Sequence, residues 1–158
     1  SAQGASRIHS SPTAGSRHVV TAYVAAELRA RVREFFENRC AYCQTAESLT
    51  VTVFEIEHIV PRSKGGATMF ENLCLACPSC NRYKSDRLVG RLDTGSECRL
   101  FDPHKDSWHD HFGWSIDGTV IVGLTDIAKT TIITLRMTRP QMTSVRELWV
   151  DAGRHPPT

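Results

Sequence analysis

Long apolar runs are missing from this 158-residue chain: nothing approaches the ~20 consecutive apolar residues of a membrane-spanning helix. A surplus of charge is missing too. Lys and Arg number 19 against 17 Asp and Glu, and a net +2 does not by itself call for a polyanionic partner. No internal repeat recurs, which sets aside solenoids and propellers. No basic n-region and apolar h-region of a secretory leader is visible, and cysteines spaced for shared metal ligation instead of disulfides lead to the expectation of a reducing, cytoplasmic setting. What remains, 41% hydrophobic and 23% charged residues, is the make-up of an ordinary globular domain with room for a modest core.

Cysteine, by contrast, is concentrated. Four of six cysteines form two Cys-x-x-Cys units, Cys40/Cys43 and Cys77/Cys80, with 33 residues between them. Two such units hold one tetrahedral Zn²⁺, and a four-thiolate site is closed and structural, with no open position for a reacting water. Cys74 stands in the same spacing to Cys77. Cys80 is preferred as the ligand because it opens a helix, and Cys74 and Cys98 are read as small buried apolar residues.

Residues 1–18, rich in Ser with Arg7 and Arg17 and no acid, read as a disordered arm. Residues 19–158 read as a single domain, with a metal-stapled core over 40–89 and a C-terminal extension over 90–158. Val24, Leu28, Val32, Phe35 and Phe36 recur at helical spacing and predict a helix over 23–38, with Arg29, Arg33 and Glu37 on a solvated face. Residues 49–60 read as a strand, Thr50-Val51-Thr52-Val53 alternating cleanly, stopped by Pro61. The Ser63-Lys64-Gly65-Gly66 loop turns the chain into a return strand over 72–75. Cys77 then opens a helix reaching about residue 89, with Pro78 in its first turn. Farther on, Asp117-Gly118 predicts a hairpin between 114–116 and 119–122, and 125–137 and 140–151 read as helices. The fold class is α+β: a ββα core, an N-terminal helix, and a C-terminal hairpin plus helices.

Between the cysteine units runs Glu55-Ile56-Glu57-His58-Ile59-Val60-Pro61-Arg62-Ser63-Lys64-Gly65-Gly66, and Asn81 directly follows the last cysteine. His58 is the candidate general base, because imidazole accepts a proton from water near neutral pH. Glu57 and Asn81 are oxygen donors suited to a hard ion such as Mg²⁺. A base and a divalent-ion site beside a structural zinc point to hydrolysis of a phosphodiester. Residues 55–91 carry six Lys/Arg against four Asp/Glu, and Arg62, Lys64, Arg82, Lys84 and Arg87 are candidate phosphate contacts. In a regular strand Glu57 and His58 point to opposite faces, so the strand must distort near Pro61 if both are to meet one phosphate.

Glu57-His58, Asn72 and Cys77-x-x-Cys80-Asn81 resemble the signature of HNH endonucleases, the His-Asn-His group of ββα-metal nucleases. The resemblance is close over 40–84. It extends with weaker motifs through Leu100-Phe101-Asp102-Pro103, Trp108, His111-Phe112, Trp114 and Asp117-Gly118. It implies that His58 activates the attacking water, that Asn72 holds the hairpin and orients His58, and that Glu57 and Asn81 bind a single catalytic ion. The implied product is a nick with 5′-phosphate and 3′-hydroxyl ends. Two positions depart from the wider pattern: Glu57 where Asp is more frequent, and Asn81 where the family name implies His. An oxygen-only pair favours Mg²⁺ or Mn²⁺.

The expected activity is metal-dependent nicking of DNA with low sequence preference. A site that grips phosphates does not distinguish DNA from RNA, and oligomeric state is left open. The alternative, from another class, is a zinc-stabilised nucleic-acid-binding module without cleavage activity. His109-Asp110-His111 is expected to pack beside Trp108 and Trp114 instead of forming a second metal site.

Overall fold

A computed structural model describes residues 24–158; the expected arm over 1–18 and Tyr23, the first residue of the expected helix, lie outside the described residues. Helix α1 (Ala26–Phe35) buries Val32 and stops three residues short of the expected end. Glu37 and Asn38 take φ +54° and +53°, which a helix cannot continue through. Arg33 departs from the expected solvated face. Its guanidinium forks onto Glu47 Oε1 and Oε2 at 2.8 and 3.0 Å and donates to Phe54 O at 2.9 Å, which ties α1 to the loop entering the first strand.

The long strand expected over 49–60 is cut to β1 (Glu55–His58). Upstream, Glu47–Leu49 form a 3₁₀ turn, and Val51 and Val53 are exposed. The Thr50 hydroxyl bonds Glu47 O at 3.1 Å and Thr52 O at 3.2 Å, so local side-chain bonds override the alternating pattern. β1 pairs antiparallel with β2 (Leu73–Ala76), with Glu55 opposite Ala76, Glu57 opposite Cys74 and His58 opposite Leu73. Helix α2 (Pro78–Lys84) packs against both strands. It is half the expected length, because Ser85 turns to φ +51° and the chain moves on to β3 (Val89–Arg91), which pairs with β4 (Glu97–Arg99).

The extension contributes α3 (Trp108–His111), the hairpin of β5 (Phe112–Trp114) and β6 (Ile121–Gly123), then α4 (Asp126–Thr134) and α5 (Pro140–Asp151). The Asp117-Gly118 hairpin forms, but its strands lie farther out. Ser115 N–H closes the loop on Val120 O at 2.8 Å, Gly118 sits at φ +76°, and Asp117 Oδ1 accepts from Ser115 and Thr119.

One core runs through both parts. Leu100, Phe101, Trp108, Phe112, Ile121 and Leu135 from the extension join Tyr42, Phe54, Leu73 and Leu75. Polar ties fix the junction: Trp108 Nε1 donates to Tyr42 O at 2.8 Å, and His104 Nε2 donates to Leu73 O at 2.8 Å while its ring stacks on Phe35. Strand β3 meets α4 at Gly90, where a Cβ would stand 2.2 Å from Thr134 Oγ1.

Glu47 concentrates these ties. Burial pushes its carboxyl up, but the Phe54 N–H and Arg33 outweigh burial and hold it below the usual value. Its contribution is therefore present above the unfolded carboxyl pKa and lost as pH falls through the depressed folded value. Glu47→Gln should destabilise by about 1–3 kcal/mol near neutral pH, and the gap from the unsubstituted protein in urea unfolding should close below roughly pH 4. An equal gap at pH 3 and pH 7 would contradict this account.

Candidate functional site

The four Sγ atoms of Cys40, Cys43, Cys77 and Cys80 all lie within 4.8 Å of one another, and all four residues are buried. Cys43 and Cys77 sulfurs stand 3.8 Å apart, close to the roughly 3.8 Å edge of a tetrahedron built on 2.3 Å Zn–S bonds. The donor set therefore fits a structural Zn²⁺. Backbone geometry supports it: Cys80 N–H points at Cys77 Sγ (3.4 Å), and Ala41 N–H donates to Leu75 O (2.8 Å), joining the first knuckle to β2. Cys74 does not join the cluster. It faces Tyr42 Oη (3.7 Å) and Glu57 Oε2 (3.6 Å), and burial, its largest influence, raises its thiol well above the ordinary range. Cys98, expected buried, is half-exposed on β4.

Buried beyond the cluster lies Arg146, with no exposed surface. Its Nη1 donates to Thr119 O and Met137 O at 3.2 and 3.1 Å. Among the described residues its Nε and Nη2 have no hydrogen-bond partner. Burial lowers its pKa, opposed by the thiols of Cys43, Cys80 and Cys77, so α5 sets a positive charge in the field of the cysteine cluster.

Beside β1 an open cleft of about 690 Å³ is lined by Glu55, Glu57, His58, Arg62, Asn81 and Ser85, among others. His58 Nε2 lies 2.8 Å from Thr68 Oγ1, a neighbour that sequence reasoning did not single out. Burial lowers the His58 pKa, and the cations Arg62 and Lys84 lower it further, so the ring is neutral at neutral pH.

β1 stays in regular register, and its two carboxylates meet different partners on α2. Glu57 is only 6% exposed and turns inward, its Oε1 in an ion pair with Lys84 Nζ at 2.9 Å. Lys84, 1% exposed, also donates to Ile59 O at 2.9 Å. Burial raises the Glu57 carboxyl, chiefly opposed by Lys84. Two expectations are thereby corrected: Glu57 is engaged by Lys84 instead of facing Asn81, and Lys84 is not a free phosphate contact. The acid that meets Asn81 is Glu55, whose Oε2 accepts from Asn81 Nδ2. Glu55 shares the face of Glu57 two residues away, and that period of two was the signal that could have found it. An exposed carboxylate in contact with an amide can offer two oxygens to one hard ion, few enough for Mg²⁺, which keeps several waters.

Asn72 locks the loop after His58. Its Oδ1 accepts from Val60 N–H at 2.8 Å, its Nδ2 donates to Val60 O and Ala67 O at 3.0 and 2.9 Å, and its own carbonyl accepts from Ile59 N–H at 2.9 Å. Gly66 permits that closure, because a Cβ there would stand 1.7 Å from Val60 O. Of the expected phosphate contacts, Arg62, Lys64, Arg82 and Arg87 are exposed, with Lys64 Nζ on Asp86 O at 2.7 Å. His109 is exposed against Trp108, and His111 Nδ1 meets Thr125 Oγ1 at 2.7 Å.

Residues 40–87 match the family model described as HNH endonuclease. That interval holds both cysteine units, β1, β2 and α2, so the match falls on the strand–strand–helix core. No curated protein and no solved structure matches the chain significantly.

Mass spectrometry of native protein should find one zinc per chain. Cys77→Ser should lose it, whereas Cys74→Ser should keep it; the reverse pattern would put Cys74 in the site. In an NMR titration of the zinc-loaded protein, the His58 ring should protonate with a midpoint below about 6.5. A midpoint above that value would remove the electrostatic reading of its surroundings.

Proposed function

We propose, on the premise that residues 40–87 form an HNH endonuclease core, that the protein is a metal-dependent endonuclease that nicks DNA with little sequence preference. The observation that carries this reading is a neutral imidazole, His58, lining the same cleft as an acid–amide pair, Glu55 and Asn81. In the tautomer in which Nε2–H donates to the Thr68 hydroxyl, His58 Nδ1 carries the lone pair. Nδ1 accepts a proton from water as the water oxygen bonds to phosphorus and the P–O3′ bond breaks. The 3′ oxygen leaves with a proton from solvent, giving 5′-phosphate and 3′-hydroxyl ends.

Glu55 and Asn81 are the residues that would hold a divalent ion, Mg²⁺ or Mn²⁺. When bound, it offsets the charge that develops on the phosphate and leaving oxygen. Glu57 and Lys84 serve as the buried support beneath that pair. Asn72 holds the 60–67 loop, and through it the end of β1 that carries His58. Arg62, at the cleft wall, steadies a backbone phosphate.

Supercoiled plasmid tests the reading directly. The zinc-loaded protein should convert it to open-circle DNA with Mg²⁺ or Mn²⁺ and not with EDTA, and His58→Ala should abolish conversion. Glu55→Gln should raise the metal concentration needed by about tenfold or more. A gel shift without conversion in any divalent metal would leave a zinc-stabilised binding module. Cleavage of RNA in place of DNA would move the substrate.

A further inference from the structure

On the outer side of α2, three guanidinium groups converge on one ring. Arg136, Arg139 and Arg82 stand 4.9, 5.6 and 5.7 Å from the centroid of Tyr83. Arg87 joins them through Nη1, which donates to Tyr83 O at 2.9 Å. Among the described residues, none of these four arginines forms an ion pair with a carboxylate. Tyr83 is half-buried, and Arg82, Arg87 and Arg136 are exposed.

This gathering is built by two distant segments. Arg82 and Tyr83 belong to α2, whereas Arg136 and Arg139 come from the turn between α4 and α5. That turn holds its shape through an unfavourable backbone: Arg136 sits at φ +50°, a region uncommon for a side chain of this size. Arg139 Nη1 reaches back to Arg136 O at 3.1 Å, and the buried Arg146 guanidinium adds a further positive charge in the field of Arg139. An exposed aromatic ring attracts a cation only weakly, and like charges crowded about it repel. A polyanion relieves that repulsion by replacing condensed counterions with four fixed cations.

The cluster lies around α2 from the cleft, with Arg82 between the two. At 100° per residue along α2, Asn81 and Ser85 share the cleft face, Tyr83 lies roughly 200° from Asn81, and Arg82 sits between. We propose that Arg82, Tyr83, Arg87, Arg136 and Arg139 form a track for the sugar–phosphate backbone of nucleic acid leaving the cleft. The track rests on the nuclease reading, and it gives the C-terminal extension a share in substrate binding. Contacts of this kind hold phosphates without reading bases.

The test uses the full zinc-loaded chain carrying His58→Ala, so that the probe is not cut. Affinity for a fluorescent duplex of about 20 base pairs is followed by anisotropy across a salt series. The double substitution Arg136→Asn with Arg139→Gln keeps a residue tolerant of positive φ at 136 and removes both charges. Losing two phosphate contacts should lower the magnitude of the log–log salt slope by about 1.8 and weaken binding roughly 10- to 100-fold near 0.1 M salt. Lysine at both positions should restore most of the slope, because it keeps the charge. Should the double variant fail to fold, by zinc content and Tm, Arg139→Gln alone should lower the slope by about 0.9.

An unchanged slope and affinity, with or without a change in Tm, would show a structural stack and overturn the track. If the His58→Ala parent binds no duplex at all, the nuclease reading fails first and the track falls with it.

Discussion

Four thiols drawn from two stretches, 40–43 and 77–80, meet in one buried cluster, and the rest of the core hangs on that meeting. Closing a loop of this length is an entropic loss that a small module does not recover from its own apolar surface. A structural metal changes that balance, since its binding free energy becomes folding free energy. With the two units joined, the intervening chain returns through the β1–β2 hairpin. Ala41 N–H on Leu75 O sets β2 against the first knuckle, and Cys77 caps the start of the helix that packs on both strands. The extension then seals the arrangement through Trp108 on Tyr42 O and through Arg146, whose buried charge lies in the field of the thiols.

The packing of α2 against β1 decides how the two carboxylates are used within that frame. Glu55 and Glu57 share one face of β1, and Asn81 and Lys84, three residues apart on α2, meet them in turn. The outer pair stays open to the cleft. The inner pair is a buried ion pair, and losing one partner of such a pair strands the other charge at about 3–5 kcal/mol. Two carboxylates alike in sequence are thus divided between a reactive surface and the foundation beneath it.

The same cations serve more than one end. Lys84 neutralises Glu57, holds Ile59 O and, with Arg62, disfavours the charged form of His58. In the proposed reaction this basic surround would attract a phosphate and keep the nearby imidazole ready to accept a proton. The arginines about Tyr83 extend this field around α2 onto the α4–α5 turn. The extension contributes core as well as charge, with Leu100, Phe101 and Phe112 packed among residues of the HNH segment.

Much of this was legible in the sequence, because local signals carry it. Cys-x-x-Cys spacing picked out the four cysteines that cluster, Pro78 and Pro140 marked two helix starts, and Asp117-Gly118 marked a hairpin. Other features were decided only by the tertiary structure. Thr50-Val51-Thr52-Val53 alternates like a strand yet pairs with no strand among the described residues. Arg33 and Lys84 look like solvated charges until Glu47 and Glu57 arrive from elsewhere in the chain. Glu55 and Glu57 are the same residue type two positions apart, and only the packing of α2 assigns one to Asn81 and the other to Lys84. Spacing along the chain determines which groups can share a metal or a turn. Which charges face water depends on neighbours brought together by folding, and burial alters an ionic group's energy more than any local preference does.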